Sequence, residues 1–122
     1  MKESIIQKKS YQFALRVIKM YKFLPKDQKE FILSKQVLRS GTSIGANVNE
    51  AQSVESKNDF IHKMVISLKE SRETLYCLNL LHDSDFIEKD AFESIHKDCV
   101  ELKNIHSSII LSAKEKKNNS TL

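Results

Sequence analysis

The sequence predicts an all-α fold, an antiparallel up-down-up-down four-helix bundle, on three observations. Apolar residues recur in steps of three and four through four long segments, the period of a helix with one buried face. The connections between those segments are short, which makes consecutive helices antiparallel neighbours. Only two glycines and one proline occur in 122 residues, too few for a sheet protein with many turns. Hydrophobic residues at 40% and charged residues at 30% fit a soluble bundle. By size the chain is one domain able to bury a real core. The bundle is expected over residues 1–115 and a flexible polar tail over residues 116–122.

The first helix is expected from about Ser4 to Phe23. At about 100° per residue from Lys8, the basic residues Lys8, Lys9, Arg16, Lys19 and Lys22 fall between about −40° and 100°. Ile6, Phe13, Ala14, Val17, Met20 and Tyr21 fall between about 120° and 240°. One face therefore belongs to a core and the other is positive. Pro25 is expected to stop this helix, because it donates no N–H and restricts the residue before it. Lys26 to Glu30 then forms a short turn.

Ser34 is the expected N-cap of the second helix, accepting from the N–H of Gln36 or Val37. Within that helix the small and apolar residues Val37, Gly41, Ile44, Val48 and Ala51 alternate in steps of four and three. Gly41 lies on the seam and Gly45 beside it. Mid-helix glycine costs about 1 kcal/mol relative to alanine, so two of them point to the close approach of another backbone. Asn47 and Glu50, at the seam's edge, are expected to bond across to the third helix. This second helix runs to about Ser53, and Ser56 caps the third, expected over about Lys57 to Leu81. There Ile61, Met64, Val65, Leu68, Leu75 and Leu78 form a stripe, with Phe60 and Tyr76 at its edges. Arg72 falls inside the stripe and calls for a carboxylate partner, Glu50 or Glu73; the alternative places it at the margin with its head in water. His82-Asp83-Ser84-Asp85 is a turn. The fourth helix, about Glu88 to Lys114, carries Phe92, Ile95, Cys99, Leu102, Ile109 and Ala113 in heptad register. Cys77 and Cys99 occupy apolar helical positions and are expected to be buried reduced thiols.

Charge is divided along the chain. Residues 1–40 hold ten Lys/Arg against three Asp/Glu, a net +7. Residues 41–113 hold seven against twelve, a net −5, and residues 114–122 three against one, within an overall +4. No apolar run approaches the roughly 18 residues of a membrane span, and the first residues lack a signal-peptide core. A cytoplasmic protein with no membrane role is expected.

The run Ser34-Lys35-Gln36-Val37-Leu38-Arg39-Ser40-Gly41-Thr42-Ser43-Ile44-Gly45-Ala46-Asn47-Val48-Asn49-Glu50-Ala51 resembles the 23S rRNA intervening-sequence proteins, a bacterial four-helix-bundle family. Members carry a pattern like S-x-Q-[LV]-x-[RK]-[SA]-x-x-S-[IV]-x-x-N-[IV]-x-E-[AG]. The likeness continues through Ser56 to Lys63, through Leu68 to Thr74, and in the Leu24-Pro25 break. It implies a non-enzymatic protein. A related branch, the accessory proteins of diversity-generating retroelements, implies a basic homopentamer that binds nucleic acid and partners a reverse transcriptase. Ala51 departs from the glycine that commonly ends this run, which implies a second helix continuing past residue 51.

Nucleic-acid binding is the leading expectation, carried by Lys8, Lys9, Arg16, Lys19, Lys22, Lys26 and Arg39, with Lys29 and Lys35 adjoining. Cations on one face release counterions from phosphates without reading sequence. Tyr11 and Tyr21 alone offer no platform for stacking on bases. The competing reading is a protein scaffold whose acidic portion, including Glu70, Glu73, Glu88, Asp90 and Glu93, meets the basic third of a neighbouring copy head-to-tail. A dinuclear metal enzyme is disfavoured. Glu93-Ser94-Ile95-His96 is a single Glu-x-x-His copy, whereas such a site takes two, with carboxylates from every helix. The first helix offers no Asp or Glu after Glu3. No cofactor, catalytic residue or metal ligand is expected: His62, His82 and His106 lie at no ligand spacing, and Gly41 and Gly45 lack the strand and lysine of a phosphate loop.

Overall fold

The structure is a computed structural model that describes residues 4–120, with side chains described through residue 118. Four helices follow one another: α1 (Ile5–Asp27), α2 (Leu33–Ala51), α3 (Lys57–Asp83) and α4 (Lys89–Ser120). Contacts that cross between helices fix their directions. Val17 meets Gly41 and Ser10 meets Gly45; Arg39 meets Glu73 and Glu50 meets Lys63; Cys99 meets Ser71 and His106 meets Ser67. In each pair of helices one number rises as the other falls. Each helix packs on its sequence neighbours, and α4 returns to α1 along the least extensive of the four contacts. The bundle is antiparallel and up-down-up-down, as the short connections predict.

Its core holds Phe13, Val17 and Leu24 of α1, Val37, Ile44 and Val48 of α2, Met64, Leu78 and Leu81 of α3, and Ile95, Cys99 and Leu102 of α4. Burying each large apolar side chain contributes about 1.5–3 kcal/mol. Both cysteines are buried and free, as expected. Burial pushes the Cys99 thiol up to about 12, and burial, then the Glu73 charge, raises Cys77.

α1 begins with a reciprocal cap. Ser4 Oγ accepts from the Gln7 N–H at 3.2 Å, and Gln7 Oε1 accepts from the Ser4 N–H at 2.9 Å. Its end corrects the expectation, for Pro25 lies inside the helix. Only two helical residues follow the proline, so the missing N–H weakens the last turn without breaking it. Lys29 at φ 55° then turns the chain, and the N–H groups of Gln28 and Glu30 both reach the Leu24 carbonyl, at 3.1 and 3.2 Å.

The start of α2 is also corrected. Ser34 is inside the helix, and Ile32 stands at the cap position without a side-chain hydrogen bond. Glu30 does the capping: its Oε2 accepts from the N–H of Ile32 and Leu33 at 3.1 and 2.9 Å, and its Oε1 from the N–H of Ser34 at 2.6 Å. Ser34 Oγ answers by donating to the Glu30 carbonyl at 2.9 Å. Burial alone would raise the Glu30 carboxyl, but these donors together hold it below its ordinary value.

Three further boundaries move. α3 runs on to Asp83, so His82 and Asp83 belong to the helix and not to the expected turn. α2 ends at Ala51 and does not continue, because the N–H groups of Gln52 and Ser53 close tight turns onto the Asn49 and Glu50 carbonyls, each at 3.1 Å, in place of helical bonds. Ser56 caps α3 as expected, accepting from the Asp59 N–H at 3.1 Å. α4 extends through Ser120 rather than stopping at Lys114, so helix covers most of the expected tail; residues 121 and 122 lie outside the described residues.

α1 explains Gly41 but does not force Gly45 to be glycine. A Cβ on Gly41 would lie 2.8 Å from Val17 Cγ2, and one on Gly45 would lie 3.4 Å from the Ser10 carbonyl oxygen. Arg72 is exposed and makes no ion pair among the described residues, since Glu50 pairs with Lys63 and Glu73 with Arg39. Its expected bridge is absent and the margin alternative holds. Of the expected cross-links to α3, Glu50 makes one, whereas Asn47 donates to the Ser43 carbonyl of its own helix at 2.9 Å.

Candidate nucleic-acid interface

The seven basic residues singled out from the sequence separate into three groups. Lys8, Lys19, Lys22 and Lys26 are exposed on α1 and fall within about 60° of arc on its surface. Eighteen residues separate the first from the last, so the row is about 27 Å long. None of these four side chains has an ion pair or hydrogen bond among the described residues.

Lys9 and Arg16 stand at the edge that turns toward α4. Lys9 Nζ pairs with Glu101 Oε1 at 2.5 Å. Arg16 Nη1 pairs with Asp98 Oδ2 at 2.5 Å, and its Nη2 donates to Ser94 Oγ at 2.9 Å. These two residues clasp the least extensive helix contact. Arg39 lies on the α2–α3 side, with Nη2 on Glu73 at 2.5 Å and Nη1 3.3 Å from Glu70. The Glu73 hydrogen bond, with the Glu70 charge, raises the guanidinium above its ordinary value. The structure therefore does not bring Arg39 to the lysine row. Lys29 and Lys35 are exposed and unpaired among the described residues, near the end of the bundle where α1 stops and α2 begins.

Apolar side chains share this face. Tyr11, Leu15 and Ile18 are 63%, 50% and 37% exposed and follow one another at helical spacing beside the lysines. Phe23, expected to end the helix, is carried within it, half-exposed on the basic side. Beside it a cleft of about 950 Å³ opens between α1 and the start of α4.

His106 is among the buried polar residues that the sequence pattern did not single out. His106 is fully buried, with Nε2 2.6 Å from Ser67 Oγ and Nδ1 2.7 Å from the Leu102 carbonyl. Burial lowers its pKa, against the opposing effect of the Leu102 hydrogen bond. The Leu102 carbonyl can only accept, so Nδ1 carries a proton and donates to it, while the single Ser67 hydroxyl proton serves either Nε2 or the Ile44 carbonyl, 2.8 Å away. The signal was present: after Cys99 and Leu102, position 106 is the next place on the alternating seam. Among the described residues no three His, Cys, Asp or Glu side chains gather where they could hold a metal ion. His96 instead rests near the Phe92 ring, 5.0 Å between centroids. No described helix is long and apolar enough to cross a membrane.

Comparison with known proteins adds two findings. The family profile described as 23S rRNA-intervening sequence protein matches residues 2–108. A solved structure from Bacteroides thetaiotaomicron, a protein of unknown function from the S23 ribosomal protein family, is 49% identical. The match covers 87% of this chain and 98% of that one, with a TM-score of 0.86. No curated protein matches the chain.

Proposed function

The chain belongs to the 23S rRNA-intervening sequence protein family, and from that premise we propose a non-enzymatic, self-associating cytoplasmic protein that holds RNA or DNA on the outer face of α1 without reading sequence. One observation carries this reading. Lys8, Lys19, Lys22 and Lys26 form an exposed row that no described carboxylate neutralises, whereas Lys9, Arg16 and Arg39 are each paired with one. Four unspent charges along one line suit a phosphate backbone, whose counterions they would release. Assembly multiplies the effect: five copies, the number the resemblance implies, would join five rows into one field. Asp90 and Glu93 are exposed and unpaired among the described residues, and supply acidic contacts for a neighbouring copy. A protein partner such as a reverse transcriptase is compatible with the same surface.

Charge reversal with a salt series tests the reading. The triple variant Lys19→Glu, Lys22→Glu, Lys26→Glu is expected to fold normally and to bind a labelled oligonucleotide weakly. Its slope of log affinity against log salt should be shallower by about two to three, since each of three lost phosphate contacts removes roughly 0.7 to 0.9. Wild-type protein that binds no oligonucleotide at low salt would leave the scaffold reading, favoured by the exposed Tyr11, Leu15 and Ile18 stripe, in its place.

A further inference from the structure

We infer that the cleft between α1 and the start of α4 takes an unstacked base, so that the ligand of the lysine row is single-stranded nucleic acid. The inference rests on the phosphate-binding reading and makes it specific. Met20, Leu24 and Ile95 line the cleft, and Phe23 and Phe86 present aromatic walls. At about 950 Å³ it lies within the roughly 300–1,000 Å³ of sites that enclose small organic groups. Phe23 sits between Lys19 and Lys26, one turn to either side on the same helix face, so backbone and base would be met together. Alternation of cations with an exposed ring is the pattern of single-strand binding, because every base has a face to stack and every nucleotide a phosphate. Lys89 adds a cation on the α4 wall.

The remaining lining favours a base over a second phosphate. Asp85 and Glu88 face the cleft without an ion pair among the described residues. Carboxylates repel a phosphate but accept hydrogen bonds from base amino groups. A stacking platform was not evident from the sequence because Pro25 placed Phe23 at a helix end. Its continuation to Asp27 keeps Phe23 on the basic face.

The chain has no tryptophan, so Phe23→Trp installs a single reporter in the cleft. A labelled single-stranded 12-mer, a duplex of the same sequence and an abasic 12-mer are the probes. Quenching of the reporter by the single strand, and not by the duplex or the abasic strand, is expected. In parallel, Phe23→Ala should weaken single-strand binding about tenfold and leave duplex binding and the salt slope unchanged. Binding of the single strand with unaltered emission, or equal single-strand affinity in Phe23→Ala, overturns the cleft while leaving the lysine row standing. Absence of binding by all three probes at low salt overturns both.

Discussion

At the scale of single residues, the two glycines of α2 make opposite predictions although both face α1. An added methyl at Gly41 collides with Val17, whose branched side chain has little freedom to move. Gly41→Ala should therefore destabilise by about 1–3 kcal/mol from overpacking, less the gain of about 1 kcal/mol in helix propensity. Gly45→Ala meets the Ser10 carbonyl at ordinary contact, and should be neutral or stabilising by up to about 1 kcal/mol. Denaturant midpoints distinguish them, and equal losses at both positions would contradict this account. His106 and Glu30 give the pH dependence. The folded pKa of His106 lies below its ordinary 6.5, so the unfolded chain takes up its proton first. Its contribution is whole above pH 6.5 and drains away as pH falls toward the lowered folded value. Glu30, lowered from 4.5, contributes above that pH and loses its share as pH falls further. Melting temperature measured from pH 8 to pH 4 should show the first decline, and His106→Gln should flatten it.

Helix boundaries at the level of elements depend on partners that lie outside local propensity. Ser34 looked like a cap because serine before an apolar run commonly is one, yet the carboxylate four residues earlier reaches three free N–H groups at once. Glu30→Ala should cost about 1–3 kcal/mol by leaving those donors unanswered, the Ser34 N–H among them in a buried place. Glu30→Gln, which keeps one acceptor, should cost less. The same distinction separates the cations of α1. Arg16→Glu sets a carboxylate against Asp98 and should loosen α4 from α1, seen as a lower melting temperature. Lys19→Glu removes only a solvated charge and should leave the melting temperature within about 1 °C. Periodicity exposed the basic face but not which of its members another helix would claim. Pairing across 82 or 92 residues of sequence leaves no local trace.

For the whole molecule, the exposed apolar residues decide the assembly prediction. Tyr11, Leu15 and Ile18 on α1, with Phe31 and Ile32 in the following turn, remain uncovered in a single copy. Light scattering at micromolar concentration is expected to give several times the mass of one chain, and a monomer mass would contradict self-association. Leu15→Glu with Ile18→Glu should reduce that mass while leaving the helical signal unchanged. The chain's own pattern determined the number of helices, their order and antiparallel packing, because seam spacing and loop length are local and repeat many times. It also announced the close approach at Gly41, where α1 leaves no room for a side chain, although not that Gly45 beside it would have room for one. Tertiary structure alone decided that small hydroxyl residues Ser67, Ser71 and Thr74 form the buried centre of α3, that His106 completes the α4 seam, and that four of the seven chosen cations stay unpaired. Those outcomes depend on which neighbour supplies a carbonyl, a carboxylate or a void, and helix packing brings such neighbours from distant parts of the chain.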